Sequence, residues 1–194
     1  GIASKDMQDE LVNKKMIATT RMFGSPVGDI NAIKEAVATY TSRAAEKLRR
    51  QYSAASIISV FVVAKGENHN VTFNRGITHS RYTTLPVATS FTNELIKPAV
   101  ALVDSLYEKG TLYKKAGVML SGLVPDASIQ GNLFLPETKN NGRLLMDMID
   151  NINFSQRDDV LKFAASGTTR DWKMRQELRS PRYTTRWEEL YEVR

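Results

Sequence analysis

The 194-residue chain has no cysteine. That excludes disulfides, thiolate metal sites and cysteine nucleophiles, and it suits a reducing compartment. Histidine is nearly missing too: His69 and His79 are the only two, too few for a multi-histidine metal site. No apolar run approaches the roughly 20 residues of a membrane-spanning helix. The longest, Ile57 to Ala64, is strand-sized. The opening residues Gly1 to Asp6 lack the apolar core of a signal peptide and an initiator Met, so the chain reads as a fragment or a processed product. We find no phosphate loop of the Walker type, no Gly-rich dinucleotide turn and no His-Glu-x-x-His. The pairs Asp158-Asp159 and Glu188-Glu189 are adjacent and do not share a face in a helix or strand, so they read as solvated charges. His79, on a strand-like stretch beside Arg81, reads as a surface histidine. No internal repeat or low-complexity tract is present.

What the chain does have is ordinary globular composition, 42% hydrophobic and 25% charged, and an uneven charge. The net charge is +6. Residues 1–124 hold sixteen Lys/Arg against ten Asp/Glu, whereas residues 125–194 hold eleven of each. The excess therefore sits in the first part, where a polyanion such as nucleic acid is one expected partner and simple solubility the other.

Periodicity gives the elements. Lys5 to Asn13 has a short helical look. Lys14 to Phe23 reads as a strand ended by Gly24-Ser25-Pro26. Asp29 is an N-cap candidate, followed by Ile33, Val37, Tyr40, Ala44 and Leu48 on one helical face. Lys34, Glu35, Ser42, Arg43 and Glu46 fall on the other. Lys47, Arg49 and Arg50 suit the negative end of its dipole. Ala55 to Ala64 is apolar at both parities and predicts a strand covered on both faces or nearly so. A loop over 65–74 has room for a short pairing at Val71-Thr72-Phe73. Thr78 to Thr89 is a second strand, with Pro86 confining it to an edge or a strand end. A helix from Thr92 carries Leu95, Ala99, Leu102 and Leu106, tolerates Pro98 only near its first turn or at a kink, and stops at Gly110. Leu112 to Leu123 is the last strand.

The order β-α-β-β-α-β predicts an α+β module: a small, mostly antiparallel four-stranded sheet with both helices on one face and the other face open. Beyond Pro125 a partly helical tail is expected. Leu144, Leu145, Met148 and Ile152 predict a helix of two turns or more, and Phe154 to Ala165 is ambiguous, with Val160, Leu161 and Phe163 fitting a short strand. The boundaries are 1–14 for a linker or short helix, 15–124 for the basic module, 125–136 for a linker and 137–194 for the tail.

The open face is the best site candidate. Phosphates are held by Lys, Arg and hydroxyls without reading of sequence, and Arg21, Arg75, Arg81, Thr83, Lys114 and Lys115 are suitable types. Gln130-Gly131-Asn132-Leu133-Phe134 forms a peptide plug: an amide to fix register and two apolar anchors for a pocket on another protein. Trp172, Tyr183, Arg186 and Trp187 in the Arg-rich tail either stack bases or serve as core and interface anchors for a protein partner, the two tryptophans favouring the buried-anchor reading.

Ala18-Thr19-Thr20-Arg21-Met22-Phe23-Gly24, Arg43-Ala44-Ala45-Glu46-Lys47-Leu48-Arg49 and Tyr113-Lys114-Lys115-Ala116-Gly117-Val118-Met119-Leu120 together resemble the little-finger domain of Y-family translesion DNA polymerases. The closing Ser180-Pro181-Arg182-Tyr183-Thr184-Thr185-Arg186-Trp187 is similar to the C-terminal signature of the UmuC-type subunit of bacterial DNA polymerase V. The resemblance implies a cytoplasmic bacterial protein of SOS repair and mutagenesis. It also implies that palm, fingers and thumb domains carrying the metal-binding carboxylates belong to the family's full chain. The part in hand is then not an enzyme by itself and needs no cofactor, Mg belonging to the palm. The resemblance makes the strand cations contacts to the template-primer backbone in the major groove. Gln130, Leu133 and Phe134 become a sliding-clamp peptide, from whose usual pattern Gly131 departs. The tail becomes the region that meets a processed UmuD-type subunit and the recombinase filament. Two other readings stay open: a free-standing DNA-binding or clamp-binding accessory protein, and an unrelated small-molecule-binding α+β domain.

Overall fold

The computed structural model describes residues 13–66, 76–129, 141–156, 159–174 and 180–191. The short helix expected before Asn13, the pairing at Val71-Thr72-Phe73, Arg75 and the plug residues Gln130, Leu133 and Phe134 lie outside them. Strand β1 (Ile17–Val27), helix α1 (Ile30–Arg50), strands β2 (Ser53–Ala64) and β3 (Thr78–Thr89), helix α2 (Thr92–Leu106) and strand β4 (Tyr113–Pro125) follow the expected order. The sheet runs β1-β4-β2-β3, antiparallel throughout.

Helix α1 starts where Asp29 accepts hydrogen bonds from the amides of Asn31 (3.2 Å) and Ala32 (3.1 Å), so two orphan donors are satisfied. Its stripe of Ile33, Val37, Tyr40, Ala44 and Leu48 is buried against Ile58, Val60, Val62, Val118 and Leu120 of the sheet, beside Leu95, Ala99 and Val103 of α2. This layer forms the core.

Four expectations are corrected. Strand β1 does not stop at Gly24-Ser25-Pro26 but continues to Val27 through a register shift. The Gly24 amide donates to the Trp172 carbonyl (3.0 Å) and Phe23 bridges to Lys173, so the tail supplies the missing partner at this sheet edge. Strand β2 is covered on one face only, since Ile57, Phe61 and Val63 are just half-buried. Helix α2 ends at Leu106, before Gly110 (φ +90°), and runs through Pro98 at its seventh residue. Phe154 to Ala165 contains no strand among its described residues: helix α3 (Asn141–Gln156) takes up the start and a short 3-10 turn (Ala164–Ser166) the end.

The tail also packs on α1. Arg49, buried, forms a two-point ion pair with Asp150 of α3 (2.6 and 2.7 Å) and donates to the Ser90 carbonyl (2.7 Å) and Thr92 Oγ1 (2.9 Å). Asp159 accepts from Arg43 (2.8 Å) and Arg170 (3.1 Å), and Thr39 Oγ1 donates to the Ser166 carbonyl. No helix among the described residues is long and apolar enough to cross a membrane.

Candidate nucleic-acid interface

Residues directly opposite each other in an antiparallel ladder point to the same face. The buried residues Val60, Val62 and Val118 therefore fix which side of each strand meets the helices. On the other side stand four cross-strand rows. They are Met22-Lys115-Val63-Thr78, Thr20-Gly117-Phe61-Ser80, Ala18-Met119-Ser59-Tyr82 and Ser121-Ile57-Thr84. This is the open face. It is built of hydroxyls, methionines and two aromatic rings, with Tyr82 71% exposed.

The Phe61 ring lies on Gly117, where a Cβ would come within 2.5 Å of it and 2.8 Å of Thr20. Glycine is the residue that allows this close approach. Lys115 holds its ammonium 5.9 Å from the centre of the same ring, at the outer reach of a cation–π contact.

The expected cations do not all share that face. Arg21 pairs with Ala116 and Arg81 with Val60, both core residues, so the two arginines are on the helix side of the two edge strands. Thr83, opposite Ile58, is on that side as well. Both arginines are exposed because an edge strand leaves the helix layer behind. Three strand spacings separate them, about 14 Å. Lys114 falls where both ladders of β4 shift register, and Lys115 alone is centred on the open face. The alternation of β1 and β3 with the buried residues of β2 is the signal that separates these groups.

One property of the sheet is independent of facing. Its four strands carry Arg21, Arg81, Lys114 and Lys115 and not one aspartate or glutamate. A polyanion laid across the strands therefore meets no repelling carboxylate from them.

In the tail, Trp172 takes the core reading: it is buried inside this chain and not offered to a partner. Its ring stands edge-on to Phe23 (6.4 Å) and Tyr40 (5.7 Å) and is 6% exposed. Trp187 is 86% exposed, Tyr183 stacks on Tyr191 at 5.1 Å, and Arg186 pairs with Glu189 at 3.5 Å. No group of three or more His, Asp or Glu able to hold a metal exists among the described residues.

Residues 14–133 match the impB/mucB/samB family C-terminal domain. The chain belongs to the impB/mucB/samB family. Residues 143–193 match a second model, a domain of unknown function, DUF4113. Among the curated relatives of this impB/mucB/samB chain are the UmuC protein of Salmonella typhimurium and the MucB protein of Escherichia coli. UmuC is 35% identical over 182 residues, which is 93% of this chain and 42% of UmuC. MucB is 31% identical over 193 residues, 98% of this chain and 44% of MucB. The chain thus spans less than half the length of the relatives it matches. Among solved structures, a Y-family DNA polymerase chimera of Dbh and Dpo4 aligns with TM-score 0.48 at 15% identity, over 62% of this chain and 32% of that one. The little-finger domain of PolIV, solved with the β-clamp processivity factor, aligns with TM-score 0.41 at 12% identity, over 62% and 99%.

Proposed function

We propose that this impB/mucB/samB chain is the DNA-gripping and partner-recruiting C-terminal part of an error-prone translesion DNA polymerase of SOS repair and mutagenesis. The observation that carries the reading is the sheet whose strands hold four cations and no carboxylate. Lys115 is centred on the open face with Lys114 beside it, and Arg21 and Arg81, on the helix side of the opposite edge strands, would meet the backbone where it passes the rims. The open face offers Thr20, Ser59, Ser80, Thr84 and Ser121 for phosphate and water. Apart from Lys115 it carries no charged or amide side chain for reading base edges, so the grip follows the backbone with little dependence on sequence. Such a grip tolerates a distorted template.

Polymerisation, with its divalent cations, would belong to a palm domain outside this chain, and the chain's own residues would bind and orient the primer-template. Gln130, Leu133 and Phe134 would tether it to the sliding clamp. Tyr183, Arg186 and Trp187 would be offered to a processed UmuD-type subunit and a recombinase filament in a bacterial cytoplasm.

Fluorescence anisotropy on a labelled primer-template tests the grip. Two phosphate contacts from Lys114 and Lys115, or four if the backbone also reaches Arg21 and Arg81 at the rims, predict that raising monovalent salt from about 50 to 200 mM weakens binding about tenfold to a hundredfold. An affinity that ignores salt, or no binding at low salt, refutes the reading. Pull-down with the clamp tests the tether: replacing Gln130, Leu133 and Phe134 by Ala is expected to abolish retention, and unchanged retention removes that part alone.

A further inference from the structure

Tyr52 stands in a position made for glycine. Helix α1 ends with the Gln51 amide bonded to the Leu48 carbonyl (3.3 Å) and the Tyr52 amide to the Arg49 carbonyl (2.9 Å). Tyr52 itself has φ +52°, the left-handed conformation that closes helices and that a bulky side chain rarely adopts. Its carbonyl accepts from the Asp126 amide (2.9 Å), so the backbone is pinned on both sides. None of this strain is repaid by packing, because the ring is 70% exposed. The turn itself closes the helix and sets the Asp126 bond, which glycine would do without strain, so a tyrosine whose ring packs on nothing points to a role outside the fold.

The surroundings say what that role is. Gln51 Nε2 donates to the Lys14 carbonyl (3.2 Å), which holds Lys14 and Lys15 beside the α1–β2 corner. Lys47 lies in the last turn of α1. Two residues before Tyr52, the Arg50 guanidinium covers a second exposed ring, Phe154, at 5.5 Å. The carboxylates here are already engaged: Glu46 with Arg50, Asp150 with Arg49, and Asp126 with Arg143. Among the described residues Lys14, Lys15 and Lys47 have no ion pair. One bare ring, Tyr52, beside unpaired lysines matches a ligand that has both flat faces and negative charge.

We infer that the α1–β2 corner is a binding site for single-stranded nucleic acid, with a base stacked on Tyr52 and phosphates held by Lys14, Lys15 and Lys47. The site is separate from the open sheet face proposed above for duplex, and its occupant differs: an unpaired strand.

The test uses the 194-residue chain, a labelled oligothymidylate and a labelled blunt duplex of equal length. The unsubstituted chain is expected to bind oligothymidylate. Tyr52→Gly is expected to fold with a Tm about 2–4 °C higher, because glycine relieves the left-handed position. It is also expected to weaken oligothymidylate binding about fivefold or more while duplex binding stays within about twofold. Tyr52→Phe keeps the ring and is expected to bind as the parent does. Tyr52→Gly that binds oligothymidylate like the parent overturns the inference, as does a parent that binds none. An equal loss on both ligands overturns it too, since the ring would then serve no single-strand site. Loss of duplex binding on replacing Lys115, with oligothymidylate binding intact, keeps the sheet reading separate from this one.

Discussion

Tyr40 places a hydroxyl in the core where no hydrogen-bond partner meets it. Burial pushes its pKa up to about 12, against the opposing fields of Arg21 and Arg43. The protonated form is therefore favoured by folding. The stability tied to it is full below pH 10, the unfolded value, and is lost as pH rises from 10 to about 12. Two pH units correspond to about 2–3 kcal/mol. Tyr40→Phe removes both the orphaned hydroxyl and the titration. Urea unfolding is expected to show it as stable as the parent at pH 7 or about 1 kcal/mol more so, with a flatter decline above pH 10. Arg49 gives the opposite lesson. In the sequence it is one of three cations at a helix end; in the fold its guanidinium is buried against Asp150, Ser90 and Thr92. Its partners lie 41 to 101 residues further along the chain, so no local pattern reveals it. Asp150→Ala leaves that charge buried and unpaired and is expected to cost about 3 kcal/mol in the same assay. Asp150→Glu is expected to recover part of it.

Helix α1 shows what periodicity carries at the scale of an element. The spacing from Ile33 to Leu48 and the cap at Asp29 mark its start and its core stripe correctly, because both depend on neighbours within the helix. Its second buried face is invisible to the same spacing. Ala38, Thr39, Thr41 and Ala45 are small and unremarkable, yet they are buried, and Thr39 carries one of the tail's hydrogen bonds. Helix α3 fails the other way. Leu144, Leu145, Met148 and Ile152 form the expected apolar stripe, but they are exposed and Met146 is the residue that is buried. Amphipathicity marks a helix without saying which side is covered. Trp172 completes the clasp on α1, and Trp172→Ala is expected to cost about 3–4 kcal/mol by thermal or urea unfolding. The clasp is also acid-sensitive. Burial pushes the Asp159 carboxyl up, but Arg43 and Arg170 outweigh it and hold it below its ordinary range. A lowered folded-state pKa means that its contribution is present above the unfolded value and lost as pH falls through the lower, folded one. In a Trp187→Phe background, Trp172 fluorescence is expected to report loosening of the tail as pH falls below about 4, and Asp159→Asn is expected to flatten that dependence.

At the scale of the molecule the layers separate charge. Every carboxylate among the described residues lies on the helices, the turns or the tail, while the sheet keeps cations only. The excess over residues 1–124 was legible from composition, but its confinement to one layer needs the strand boundaries, and the facing of Arg21 and Arg81 needs the register. A backbone grip by the open face predicts a strong dependence on which layer receives a new negative charge. Tyr82 on the open face and Ala101 on the outer side of α2 are both exposed, so glutamate at either fits without repacking the core. Each change adds one negative charge to the same molecule. If binding followed net charge alone, the two variants would weaken primer-template binding equally. With the sheet as the interface, Tyr82→Glu sets a carboxylate against phosphate at contact distance and is expected to weaken binding about tenfold, whereas Ala101→Glu, beyond a Debye length of about 8 Å, is expected to change it less than about twofold. Anisotropy at fixed salt measures both. Equal losses, or a larger one at Ala101, would move the DNA off the open face.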